Sequence, residues 1–361
     1  MAGNTFGHVF RLTTFGESHG QGLGGIVDGC PAGLEIDEAY IQKELDLRKP
    51  GQGLSTSPRK EADIIHILSG IFEGKTTGTP IAFFIANENQ RSSDYGNLAD
   101  VFRPGHADWT YFKKYNGIRD YRGGGRSSGR ETTSRVAGGA IAKKLLSKYG
   151  INIYSACVEL GGIAIDKNNL DMENAIKRSF FAGNDEIISL WEKRVEEVKK
   201  NNDTLGGIVR IEIKNVPAGL GEPVFDKLSA TLAHALMSVG AIKGIEIGEG
   251  FAAAKLTGSQ NNDILLSKGK DNNALFESNH AGGILGGISS GQDIILKAAV
   301  KPIASISREQ QTIDKNGNSA KILIGGRHDI SAIPRVVPVL SAMAALALAD
   351  ALLLQLRMGN I

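Results

Sequence analysis

Three histidines and a run of arginines hold most of the chemistry available to this chain. His19 lies in TTFGESHGQGLGG, beside Glu17 and Ser18 and between glycine-rich stretches. A loop imidazole there can serve as a general acid near neutral pH, or be structural. His106 lies in VFRPGHADWTY, after Arg103 and before Asp108, with the same two readings. GGRHDIS sets Arg327, His328 and Asp329 behind a double glycine, where the carboxylate is either an ion-pair partner or a base. Between them stands DYRGGGRSSGRET, residues 120–132. Consecutive glycines let main-chain N–H groups turn toward an anion. Ser127 and Ser128 can bond its oxygens, and Arg126 and Arg130 add charge-assisted donors. A phosphate is the expected anion; a flexible surface turn is the alternative. The loop is not a P-loop, because no GxxxxGK[ST] occurs, and its order does not match a dinucleotide fingerprint. SNHAGGILGGISSGQDI would let backbone approach a flat ligand, and KPIASIS offers Lys301 and two serines to an anion.

These loops need a frame. IDEAYIQKELDLR predicts a helix with Asp37 as N-cap, ending before Pro50. TSRVAGGAIAKKLLSKYG predicts a second, leading out of the arginine-serine loop and closed by Gly150. SLWEKRVEEVKKNND is a charged, exposed helix, and KLSATLAHALMSVGAIKG another with a glycine stop. IAFFIA, GIVRIEIK and DIILKAAV read as strands. The polar segment LTGSQNNDILLSKGKDNNALFESNH is expected to be a mobile loop near a site. VLSAMAALALADALLLQLRM reads as a buried, alanine-rich helix, since Asp350 would otherwise sit deep in a bilayer. No linker divides the chain, so a single α/β-mixed domain over 1–361 is expected.

The 361 residues, 41% hydrophobic and 22% charged, describe an ordinary globular protein with a sizeable core. A net charge of +2 and 6% aromatic residues argue against a nucleic-acid binder. The basic residues are nevertheless concentrated: residues 91–135 hold seven Arg and two Lys against five acids, which suits a pocket for a small anion. Cys30 and Cys157 form no metal-ligand spacing and make a disulfide scaffold improbable. The N-terminus has no apolar leader pattern, so a cytoplasmic protein is expected.

Taken together the motifs resemble the chorismate synthase family. FGESHG, RKPGQ, FEGKTTGTPI, DVFRPGHAD, RDYRGGGRSSGRET, SNHAGGILGGISSGQDI, KP and GRHD all occur in family order. The resemblance implies an α+β fold, the β-α-β sandwich of that family, and a homotetramer. It implies conversion of 5-enolpyruvylshikimate 3-phosphate to chorismate, by a 1,4-anti elimination of phosphate that requires reduced FMN. Some members reduce the flavin with NADPH and others depend on an external flavin reductase; the lack of long insertions favours the second type here. A flavin-independent phosphate-ester enzyme built on the same loops is the rival reading.

By the same resemblance, His19 would protonate the departing phosphate, His106 the reduced flavin, and Asp329 would assist the flavin as base. Arg126, Ser127, Ser128, Gly240, Ala241, Gly286, Lys301, Pro302, Ile303, Ala304, Ser305 and Arg327 would lie against FMN. Arg48, Arg103 and Arg130 would hold the substrate's anionic groups. The chain departs from frequent family residues at Leu54, Gly240, Ile303, Ala304, Ile330 and Ser341. The contact at Leu54 is therefore not carried over, and any flavin contact at Ile303 or Ala304 must use backbone.

Overall fold

A computed structural model describes residues 3–49, 54–56, 62–87, 98–268, 274–325 and 328–359. The chain first lays down β1 (Thr5–Phe6), β2 (Arg11–Gly16) and β3 (Gly22–Asp28), then α1 (Glu38–Arg48) and β4 (Ile65–Ile67). A small hairpin, β5 (Ile71–Phe72) and β6 (Lys75–Thr76), leads to β7 (Ile81–Ala86). Five of these strands form an antiparallel sheet ordered β1-β2-β3-β7-β4. Helices α2 (Asp108–Lys114) and α3 (Thr132–Ser147) follow, then β8 (Asn152–Leu160), β9 (Ile163–Ala164), α4 (Ile188–Lys200), β10 (Gly207–Lys214), α5 (Leu228–Met237) and β11 (Ile242–Ile247). After α6 (Gly258–Asn261) come the hairpins β12 (Leu265–Lys268) with β13 (Ala274–Phe276) and β14 (Ile284–Leu285) with β15 (Ile288–Ser289). Strand β16 (Ile294–Val300) completes a second antiparallel sheet, β11-β16-β10-β8-β9. A last hairpin, β17 (Glu309–Ile313) with β18 (Ser319–Leu323), precedes α7 (Ile333–Met358).

The architecture is α+β, with helices layered between two sheets. Helix α3 packs along α7 and against β3, while α7 and α5 rest on β8, β10 and β11. Strand periodicity explains the layering: in β7, Ile81, Phe83 and Ile85 are buried and the alternate residues are not. The three expected strands are all present. Helix α1 begins at Asp37 as expected, whose side chain accepts the Tyr40 N–H at 2.8 Å. In the middle of α3, a side chain on Gly139 would come within 2.3 Å of Ala342 Cβ, so a bare position facing an alanine lets α3 and α7 meet closely.

Helix α7 is long and apolar enough to cross a membrane by composition, yet it lies almost wholly inside the protein. Asp350 in its C-terminal half accepts the N–H groups of His8 (2.8 Å), Val9 (2.6 Å) and Phe10 (2.9 Å). The charge that looked anomalous in the sequence is a dock for the N-terminal segment. Both cysteines are buried and free, and burial pushes the Cys30 thiol up to about 11.

Two expectations require correction. The helix of KLSATLAHALMSVGAIKG stops at Met237; a turn with Ala241 at φ 74° intervenes, and β11 starts at Ile242, paired to Val300 of β16. Sheet pairing takes the β-branched end that periodicity assigned to the helix. The segment from Leu256 to His280, expected as a mobile loop, holds α6 and the paired strands β12 and β13 among its described residues. Asp263 ties its ends, accepting from Ser278 Oγ (2.6 Å) and from the N–H groups of His280 (2.7 Å) and Ala281 (2.9 Å). A polar composition concealed contacts that only folding brings together.

Candidate active site

Residues Gly123, Gly124 and Gly125 have φ of 68°, 96° and 53°, the left-handed region that side chains other than glycine rarely adopt. The first two are also crowded. A Cβ on Gly123 would meet His19 Cε1 at 2.3 Å and Nδ1 at 2.6 Å; one on Gly124 would meet His106 Cε1 at 3.1 Å. The triple glycine therefore threads between two imidazoles that are 87 residues apart in sequence. His19 sits in the turn joining β2 to β3, and Ser18 Oγ lies 3.2 Å from its Nδ1. His106 precedes α2 and places Nδ1 3.0 Å from Asp108 Oδ1, close but not aligned as a hydrogen bond.

Asp108 organises the second arm. Arg103 donates to it through Nε (2.7 Å) and Nη2 (2.9 Å), and Arg119 through Nη1 (3.4 Å). Burial works to raise this carboxyl, but the interactions with Arg103 and His106 hold it well below the usual carboxylate range. Asp63 plays the same part for the other arginines: Arg48 reaches Oδ2 at 3.1 Å and Arg130 reaches Oδ1 at 2.6 Å. Its burial is likewise outweighed by Arg48 and Arg130, with Arg335 adding to the field, and its pKa is lowered. Arg335 also lies 3.3 Å from Asp329 Oδ2, which brings Asp329 to the edge of this cluster.

Arg48 is almost fully buried and also donates to Thr132 Oγ1 and the Gly129 carbonyl, so it acts on the loop that carries Arg130. Arg126 turns toward β2, bonding the Gly16 carbonyl (3.2 Å) and Thr14 Oγ1 (2.8 Å), and with them lines a cleft of about 1580 Å³. Ser127 donates to the Gly124 carbonyl at 2.7 Å, and Ser128 accepts from the Arg130 N–H at 3.3 Å. Two short 3-10 turns, Gly125–Ser127 and Gly129–Glu131, lead into α3, which starts at Thr132, within one residue of the expected helix.

Lys301, just beyond β16, donates to the Gly105 carbonyl at 2.6 Å, which sets Lys301 and Ala304 beside the His106 loop. Burial, then the nearby Lys243, lowers its pKa. Its N–H bonds the Ala241 carbonyl at 2.9 Å, and Thr204 Oγ1 donates to the Ile303 carbonyl at 2.8 Å, fixing the Lys301–Ser305 stretch and the adjoining Gly240–Ala241 turn. Pro302 and Ser305 belong to this stretch. Gly286 lies in the β14–β15 turn, where Gly287 meets the start of α5. Arg327 lies outside the described residues. The β17–β18 hairpin braces the approach to Arg103: Thr312 Oγ1 donates to the Phe102 carbonyl, and Ile322 packs with Leu98.

Sequence reasoning overlooked Asp63, Asn87 and Arg119. Asp63 carried a signal of a kind, an acid at the head of the apolar run IIHIL, but nothing in its spacing ties it to Arg48 or Arg130.

The donor set fits an anionic cofactor as well as an anionic substrate. The Lys301 ammonium, several guanidiniums and the serine hydroxyls surround glycine backbone that a side chain would crowd.

The sequence profile of the chorismate synthase family matches residues 10–353. A chorismate synthase from Desulfovibrio desulfuricans is 70% identical over 99% of both chains, and one from Nitratidesulfovibrio vulgaris is 61% identical over 99% of this chain and all of the relative. A crystal structure of chorismate synthase superposes with a TM-score of 0.77 at 34% identity, covering 97% of this chain and 93% of that one. The site and these likenesses agree: the chain belongs to the chorismate synthase family and is a lyase.

Proposed function

We propose that the chain eliminates phosphate from 5-enolpyruvylshikimate 3-phosphate in a 1,4-anti sense to give chorismate, with reduced FMN bound. The observation that supports this reading most is the passage of Gly123 and Gly124 between His19 and His106, with arginines grouped on both flanks. The flavin, when bound, supplies electron density that eases departure of an allylic phosphate and takes up the ring hydrogen. His19 donates a proton to a phosphate oxygen as the C–O bond breaks. His106 holds a proton beside the flavin, with Asp108 as counter-charge at Nδ1. Asp329, held by Arg335, would assist the flavin in acting as base. Each positioned acid or base is worth roughly 10²–10⁴-fold in rate. Lys301, Arg126, Ser127 and Ser128 would hold the cofactor's anionic and polar groups, the protein supplying orientation and charge.

Arg48, Arg103 and Arg130 would meet the substrate's anionic groups, each held in place by a carboxylate, Asp63 or Asp108. A homotetramer, one folding unit over 1–361, cytoplasmic residence and flavin supplied by an external reductase rather than by NADPH at this chain complete the proposal.

The test is anaerobic. Purified protein is mixed with chemically reduced FMN and 5-enolpyruvylshikimate 3-phosphate, and chorismate and phosphate are followed together. Equal release of both, only with reduced flavin, is expected. Phosphate without chorismate, or release without flavin, would favour the phosphate-ester reading instead.

A further inference from the structure

The two arms of the site are joined by one side chain. Asn87, at the end of β7, donates from Nδ2 to the carbonyls of Glu17 (2.9 Å) and Gly20 (3.0 Å). These are the two ends of the turn that carries His19, which the Gly20 N–H also closes on the Glu17 carbonyl at 3.2 Å. On its other side Asn87 Oδ1 accepts from Arg130 Nε at 2.5 Å. The orientation of the amide is fixed by its partners, because a flipped group would set oxygen against two carbonyls and nitrogen against a guanidinium. Its own N–H is held by the Gln21 carbonyl at 3.0 Å, so the side chain is presented from the edge of the sheet.

We propose that Asn87 is a positioning residue that couples the His19 turn to the cation cluster of Arg130, Asp63 and Arg48. A carboxamide suits the task because one planar group carries two donors and an acceptor on opposite sides. An aspartate can keep Arg130 but has no donor for the turn; an alanine keeps neither. The proton donor and the anion clamp thus share one support, and a shift in either is felt by the other. This inference rests on the function proposed above for His19 and Arg130, but its first test does not.

The chain is labelled with carbon-13 at histidine Cε1, and the His19 signal is assigned with His19→Gln. In the protein without flavin or substrate, Asn87→Asp should move or broaden the His19 signal, while the His66 signal stays in place. Arg130→Lys, which removes the Nε donor, should move the His19 signal in the native chain but not in Asn87→Ala. Kinetically, Asn87→Asp should lower kcat at least ten-fold and leave substrate affinity, measured by calorimetry, within about three-fold. Asn87→Ala should lose both. A His19 signal that ignores Asn87→Asp overturns the coupling, as does a variant that turns over at the native rate. Loss of affinity alone would reduce Asn87 to a partner of Arg130 and also overturn it. If the native protein fails to make chorismate, the functional reading falls, and the spectra still decide whether the turn and the cluster are coupled.

Discussion

Replacing Asp350 with alanine should cost the fold about 3–5 kcal/mol, most of it from two amides. The carboxylate accepts three main-chain N–H groups, and each buried donor left without a partner costs about 1–3 kcal/mol. His8 is exposed, so water can replace its acceptor; Val9 is half-buried and Phe10 fully buried, so theirs cannot be replaced as readily. Asparagine separates the contributions. Val9 and Phe10 share Oδ1, and His8 uses Oδ2. In Asp350→Asn, a carboxamide that points its oxygen at the shared pair keeps the buried bonds, forfeits the charge, and should lose only about 1–2 kcal/mol. Urea unfolding at one fixed protein concentration measures both, with slopes compared to confirm the same transition. Equal losses for alanine and asparagine, or a loss below about 1 kcal/mol for alanine, would refute the reasoning, since N-terminal docking would then owe nothing to the buried acceptor.

Gly123→Ala places a methyl against the His19 ring at a φ of 68°; kcat should fall at least ten-fold in the anaerobic assay while the protein stays folded by circular dichroism. Gly139→Ala drives Cβ into Ala342 at the α3–α7 crossing and should destabilise by about 1–3 kcal/mol in urea, more than Gly129→Ala, where nothing lies within 4 Å. Asp108→Asn tests the charge cluster through pH. The Asp108 carboxyl is depressed in the fold, so its stabilisation is complete above the ordinary value of 3.8 and is lost as pH falls toward the folded value. The stability gap between native and variant should not close between pH 7 and pH 5 and should narrow below about pH 3.5; a gap already closing at pH 5 would contradict the assignment.

Much of this protein is local and therefore legible in its sequence. The Asp37 cap, the alternation in β7 and β10, and the buried character of α7 depend on neighbours within a few residues, and all three appear as expected. The glycine triplet announced an unusual backbone, and its three positive φ values follow. The apolar residues flanking Asp350 could not say what the acid was for, because its partners lie some 340 residues away. Separation along the chain likewise hid Asp63 and Asn87. A carboxylate or carboxamide shows its value only through the groups that surround it, and here those come from different strands, turns and helices. Folding also completed the reading of the arginines. Residue type marked Arg48, Arg103 and Arg130 alike as anion ligands, and the fold adds what holds them: Asp63 for Arg48 and Arg130, and Asp108 for Arg103. Residue type and short-range spacing determined which chemistry this chain holds. Tertiary packing alone decided which groups face one another, because hydrogen bonds and ion pairs act over a few ångströms and are indifferent to separation along the chain.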